Sequence, residues 1–428
     1  MKIVSHHDPL FQSTLQAVCA RSQQQTHQVE RTVKAILDAV RRDGDAAVTR
    51  YTKKFDGIRL TPDQFRVSPE AIHHAYAAIQ PGEREALQYA ANRIRAFHER
   101  QRRETWIYQE DGGVQLGQLI TPLETVGLYV PGGKALYPST VLMNAIPAKV
   151  AGVKRVVMCT PTPTGQINPY LLVAADLAHV DEIYRVGGVQ AIGAMAFGTP
   201  TIPRTDKIVG PGNLYVAAAK RVVYGSVDID MIAGPSELLV IADERADPRH
   251  VAADLLCEAE HDEEARVYLV TPSRTLAQAV QRELARQLRR LTRRRIASVA
   301  MMRHAVAFVV SNLAAAIHLA NAIAPEHLAL LVDRPLKYLA AIRHAGAVFL
   351  GRYTPPAVAD YVAGPNHVLP TGGSARFFSA LSVDDFVKRT NLIAYTRKTL
   401  REASPFVIRL ANMEGLQAHA HSLESRLG

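Results

Sequence analysis

Residues 124 to 133 read ETVGLYVPGG, and the chain that follows repeats their pattern. A short β-prone run ends in a proline-glycine turn, and STVLMNAIPAKVAG (139–152) then takes helical spacing. VKRVVMC (153–159) returns to strand, NPYLLVAADLAHV (168–180) to helix, and DEIYRV (181–186) to strand. GGVQAIGAMAFG (187–198) opens the next helix, and DKIVGPGN (206–213) is a strand entering a turn. Such alternation predicts a parallel sheet flanked by helices, because a parallel neighbour is reached only through a crossover.

After DMIAGPSELLVIAD (230–243) the alternation resumes. A helix over about 248–260 precedes the strand ARVYLVT, an arginine-rich helix the strand AVAFVV, and a helix over 312–323 the strand LALLV. A helix over 336–344 and the strand GAVFL close the series. The sequence thus predicts an α/β fold with two parallel-sheet units joined near GPSE (234–237). Upstream, Val29, Val33, Ile36, Leu37 and Val40 form one helical stripe ended by Asp43-Gly44, and a further helical region spans about 69–104. From about 382 the chain reads as helical and polar, too short for its own core, and so as a tail that docks elsewhere.

Composition narrows the class. The 428 residues suit two or three domains, and 48% hydrophobic with 21% charged residues is an ordinary globular balance. No apolar run is long enough to span a membrane, and the first residues lack a signal-peptide pattern. Cys19, Cys159 and Cys257 are too few and too dispersed for a disulfide framework, which fits a reducing cytoplasm. The net charge of +10 raises a nucleic-acid or anion partner, and RELARQLRRLTRRR (282–295) holds much of the excess. Leu284, Leu288 and Leu291 recur there at helical spacing, so an amphipathic helix with a solvated arginine face is expected. No aromatic residue is available in that stretch for stacking bases.

Three glycine turns, YVPGGK (129–134), VGGVQAIG (186–193) and VGPGNLYVAAAK (209–220), sit where strands give way to helices. Backbone amides there can approach a phosphate, although none matches a dinucleotide fingerprint. Four polar clusters stand beside them. In CEAEHDEEAR (257–266), Glu258 and His261 lie three apart on one helix face, which is either solvated surface or part of a metal site. Glu326 and His327 precede an apolar strand and either act as a base pair or cap and pack. Asp360 and His367 share the loop VADYVAGPNHVLP (358–370), and Glu414 and His419 stand in the polar tail.

These stretches together resemble the histidinol dehydrogenase family over nearly the whole chain. VGLYVPGG, GGVQAIGAMAFGT, DKIVGPGN, AGPSELLVIAD, APEHL, DYVAGPNHVLPT, DFVKRT and EGLQAHA carry the resemblance. It implies a cytoplasmic enzyme, with one zinc per subunit and NAD, that oxidises L-histidinol to L-histidine in two hydride transfers through an aldehyde. It implies Tyr129, Gln190 and Asn213 at NAD, with His327 as base toward the alcohol and Glu326 as base toward water. Zinc would be held by Glu258, His261, Asp360 and His419. Substrate would be held by Ser236, His327 and Glu414 beside those ligands. An intertwined homodimer is implied, with the C-terminal tail exchanged between subunits and no nucleic-acid or membrane partner.

The fold implied is two Rossmann-like units with helical N- and C-terminal extensions. Residues 1–24 would form the N-terminal extension, and 25–128 with 237–381 the domain carrying metal and bases. Residues 129–236 would contact NAD, and 382–428 would form the tail. One departure stands out: members usually place glutamine where this chain has Glu258. A carboxylate there predicts tighter metal binding but a weaker Lewis acid, since anionic ligands donate more charge. Ala359 and Ala380 stand where glycine is common, which bears on specificity. Oxidation of another small polar alcohol and anion or nucleic-acid binding through 282–295 are the alternatives.

Overall fold

The computed structural model describes residues 1–21, 27–132 and 137–427. Gly133 and Lys134 of the first glycine turn, and the last residues of the expected N-terminal extension, lie outside them. The chain opens with β1 (Lys2–Ser5), and helices follow over Phe11–Cys19, His27–Asp43, Asp45–Asp56, Pro69–Ala78 and Pro81–Glu99. β2 (Trp106–Gln109) and β3 (Gln115–Pro122) come next. β4 (Thr125–Tyr129), β5 (Arg155–Cys159), β6 (Glu182–Tyr184), β7 (Lys207–Val209) and β8 (Asp228–Ile229) then alternate with helices. The same holds for β9 (Glu237–Ala242), β10 (Arg266–Thr271), β11 (Val306–Val309), β12 (His327–Leu331) and β13 (Ala347–Leu350). β14 (Val387–Ala394) and helices over Arg397–Met413 and Gln417–Leu427 complete the chain.

The strands form two parallel sheets and one small antiparallel sheet. The first parallel sheet runs β6-β5-β4-β7-β8, and the second β1-β11-β10-β9-β12-β13. Both wind alike: the first strand after each unit begins is central, the next two add on one side, and the last two add on the other. β9 and β12 are buried at every position, because helices cover both faces and leave no solvent side to alternate toward. β14-β3-β2 is antiparallel and lies largely exposed.

The packing corrects several sequence expectations. Residues 27–99 pack mainly on the first sheet, with Arg93 also bonding the Val362 and Ala363 carbonyls. Val33, Leu37 and Val40 pack with Ile192 and Val157 on one face of the first sheet, and Ala75, Ala91 and Ile94 with Val126 and Leu142 on the other. β4 belongs to that sheet, so its unit begins before Tyr129. The N-terminal segment is no appendage, since β1 pairs with β11 and closes the edge of the second sheet. The helical region at 69–104 is broken by Pro81, which starts a new helix.

The arginine-rich stretch is not one helix. Arg274–Leu288 ends, and Arg294–His304 starts afresh after a turn, while Leu284, Leu288 and Leu291 still pack inward. The segment 336–344 is a 3-10 helix over Pro335–Ala341. The tail is not all helix, since β14 pairs with β3 along its whole length. No helix among the described residues is long and apolar enough to cross a membrane.

Candidate active site

The helix Pro248–Ala259 begins at Asp247, whose side chain accepts the Arg249 amide hydrogen, and buries Val251, Ala252, Leu255 and Leu256. That apolar face fixes the helix rotation and turns Glu258 inward at its last turn. Glu258 is buried and His261 half-buried, with His261 Nδ1 3.3 Å from Glu258 Oε1. On the neighbouring strand, Glu326 and His327 stand at the start of β12. His327 Nδ1 is 3.4 Å from Glu258 Oε2 and 3.7 Å from Glu326 Oε2. Glu258, Glu326 and His327 each place a ligand atom within 4.8 Å of the others.

The main chain of Glu237, first residue of β9, holds this group together. Its amide donates to Glu326 Oε2 at 2.8 Å, and its carbonyl lies 3.0 Å from His327 Nδ1. Since a carbonyl only accepts, Nδ1 carries the hydrogen and the lone pair is left on Nε2. The Ser236 hydroxyl favours the charged form of the Glu258 carboxylate. His367 is half-buried, bonds the Asp360 carbonyl through Nδ1 at 3.0 Å, and is pushed down to about 4 by desolvation. Thr140, on the helix that follows β4, lies 3.4 Å from His367 Nε2. Through Thr140 the carboxyl end of the first sheet meets the amino end of the second.

The electrostatics are those of a site short of positive charge. Among the described residues, the ion-pair partners of Glu258 and Glu326 are imidazoles. Burial and the Glu258 charge raise the Glu326 carboxyl well above the usual carboxylate range. Burial opposes ionisation of Glu258 too, yet His327 and His261 hold it below that range. Burial raises Asp360, which also feels His327, Glu258 and His261. His261 is raised against its own burial by the bond to Glu258. Buried carboxylates with an imidazole beside them are good ligands for a divalent cation, whose charge would balance them. The donor set fits zinc.

The glycine turns lie at the other sheet. Tyr129 ends β4 and is buried, and its hydroxyl accepts the Gly188 amide hydrogen at 3.1 Å. It therefore holds a glycine turn and does not stand open. Gln190 is fully buried with both side-chain amide atoms unpartnered, which fits a polar group still to be received. Asn213 caps the helix Leu214–Val223 by accepting from Tyr215 and Val216. β4 and β7 flank the point where strand order reverses, the place where such sheets bind nucleotides. The second sheet does not follow that rule, because its polar cluster gathers at the amino ends of β9 and β12.

The chain thus brings Glu258, His261, Glu326 and His327 together, with Ser236 on Glu258 and Asp360 in charge contact. Glu414 and His419 stand exposed on the tail. A sequence model of the histidinol dehydrogenase family matches residues 19–427. The chain belongs to the histidinol dehydrogenase family. A histidinol dehydrogenase of Syntrophotalea carbinolica is 52% identical over 427 residues, covering 100% of this chain and 99% of that one. Its counterpart from Aquifex aeolicus is 51% identical over 412 residues, with 96% of each covered. The crystal structure of histidinol dehydrogenase from Elizabethkingia anophelis superposes with a TM-score of 0.94 at 39% identity, covering 100% of this chain and 98% of that one.

Sequence reasoning missed Glu237 and its partner Arg21. The available signal was an acid at the head of ELLVIA, an otherwise wholly apolar strand.

Proposed function

We propose that this chain oxidises L-histidinol to L-histidine through L-histidinal, the final step of histidine biosynthesis, in the cytoplasm. The observation that carries the reading is the buried Glu258–Glu326–His327 cluster, whose ion-pair partners among the described residues are imidazoles, in a member of this family. Glu258, His261 and Asp360 would hold zinc, with His419 supplied by the partner subunit. Tyr129, Gln190 and Asn213 would border NAD in a Rossmann-like unit. When bound, zinc supplies a Lewis acid that orients the amino alcohol, and NAD a hydride acceptor.

The chain's own residues handle the protons. His327 Nε2, freed as the acceptor by the Nδ1 bond to Glu237, takes the alcohol proton. Glu326 keeps one oxygen on the Glu237 amide, so its other oxygen can take a proton from the water that attacks the aldehyde. Its raised proton affinity suits a base that must seize a proton and then release it. Ser236 and the partner's copies of Glu414 and His419 would complete the substrate pocket.

The exchanged tail is supported by its surface. Phe406, Leu410 and Met413 are 71%, 57% and 77% exposed along one helix, an apolar stripe that the described residues of the single chain leave uncovered. The deciding experiment counts NADH per L-histidinol with and without a chelator. Two per substrate, lost on chelation, is expected; one per substrate, or turnover indifferent to the chelator, overturns the reading.

A further inference from the structure

Glu326 and His327 both lean on one residue, and that residue has its own anchor. Glu237 heads β9, where the ladder begins and gives its main chain least support. Its carboxylate is buried and gripped by the Arg21 guanidinium through Nε and Nη2, the latter at 2.6 Å from Oε2. Arg21 spends its remaining donors on main chain: Nη1 bonds Val18 O at 3.1 Å, and Nη2 reaches Ala324 O at 3.4 Å.

Ala324 is itself unusual. It closes the helix Leu313–Ile323 in the left-handed region, with φ 51° and ψ 66°, although it is not glycine. That conformation is unfavourable for a residue with a Cβ and persists only where surroundings enforce it. Two residues later the chain delivers Glu326 and His327 into the cluster. One guanidinium therefore ties the start of β9, which bonds both side chains, to the turn that presents them.

We propose that Arg21 is a positioning residue for the Glu326–His327 pair, acting through the Glu237 main chain and the Ala324 turn. A fully desolvated arginine-glutamate pair adds little net stability over apolar packing, so its use here fits a requirement for fixed geometry. The planar fork matters: a lysine could match the charge but not two oxygens and two carbonyls together. The inference rests on the reading that Glu326 and His327 are the bases.

Its test is a double-mutant cycle with an exchange measurement alongside. Arg21→Met is expected to lower kcat roughly 30- to 100-fold, with KM for L-histidinol within about threefold, because misplacement by an ångström costs chemistry more than binding. Arg21→Lys should fall between it and the native protein. In a Glu326→Gln background the same replacement should cost less than about threefold, since groups acting as a unit are not additive. Equal losses in both backgrounds overturn the proposal, as does an unchanged kcat per folded molecule. Hydrogen exchange of the substrate-free protein supplies an arm independent of the reaction. Peptides containing Glu237 and residues 324–328 should lose protection in Arg21→Lys and Arg21→Met while β4 keeps its own; unchanged exchange at both overturns the proposal. If the native protein makes no NADH from L-histidinol, the functional reading fails and the exchange arm decides the clamp. Should Arg21→Met not fold, Arg21→Lys carries every arm.

Discussion

Glu258 concentrates the chemistry of the site in one side chain. It touches His261 and His327, and the two imidazoles favour its charged form despite burial. Replacing it with glutamine removes a full charge and keeps the shape. Glu258→Gln is expected to lose zinc faster to a chelator, while turnover of the freshly metal-loaded protein rises; no change in either measurement sinks the idea. One helical turn earlier, burial pushes Asp254 up to about 7. The folded chain thus keeps a proton that the unfolded chain releases between about pH 4 and 7, so stability falls as pH rises through that window. Asp254→Asn should unfold at a higher temperature than the native protein at pH 8, with the gain gone near pH 4. The acid-histidine pairs were legible because three-residue and adjacent spacings place side chains together locally. Arg21 and Glu237 were not, because 216 positions separate them and neither neighbourhood announces the other.

Whole elements carry their own constraints. The GPGN turn after β7 is braced by a buried ion pair between Lys220 and Asp230. Asp230 Oδ2 accepts the Gly210 amide hydrogen at 2.8 Å, and Lys220 Nζ donates to the Gly210 carbonyl at 2.9 Å. Gly210 has φ +112°, and a side-chain carbon there would meet the Tyr129 carbonyl at 2.2 Å. Gly210→Ala should destabilise the fold by about 2–4 kcal/mol in denaturant titration, since neither backbone can yield. Lys220→Met, by loosening the turn that carries Asn213, should raise KM for NAD roughly tenfold, or about 1.4 kcal/mol, with zinc content unchanged. Apolar runs made the central strands easy to read. β14 was hidden because an exposed edge strand with Lys388, Arg389, Thr390 and Asn391 has no buried face to impose alternation. The break inside the arginine-rich stretch was hidden too, since Leu284, Leu288 and Leu291 keep helical spacing across a turn.

At the scale of the molecule, the chain gathers Glu258, His261, Glu326 and His327 and leaves Glu414 and His419 exposed. If the tail is exchanged, each site combines one body with the other subunit's His419. Refolding strongly impaired Glu326→Gln together with strongly impaired His419→Ala should then restore about a quarter of native activity, because half the dimers are mixed and each mixed dimer holds one intact site. Sites built within one chain would restore nothing. The alternation of strands and helices made two sheets legible, but not which helices cover which sheet, a matter of packing between segments far apart in sequence.

The two sheets also differ in when they can form during synthesis. Every strand of the first lies within residues 125–229, whereas Lys2 in the second waits for Val306. A chain emerging from the ribosome can thus close the glycine-turn half early, while its first strand stays unpaired through most of translation. Glu326 and His327 emerge after Ser236, Glu258 and His261 and join β9, a strand already made. Reactivity arrives only after the scaffold meant to restrain it, and a chain arrested before residue 306 should protect β4 from protease but not β1.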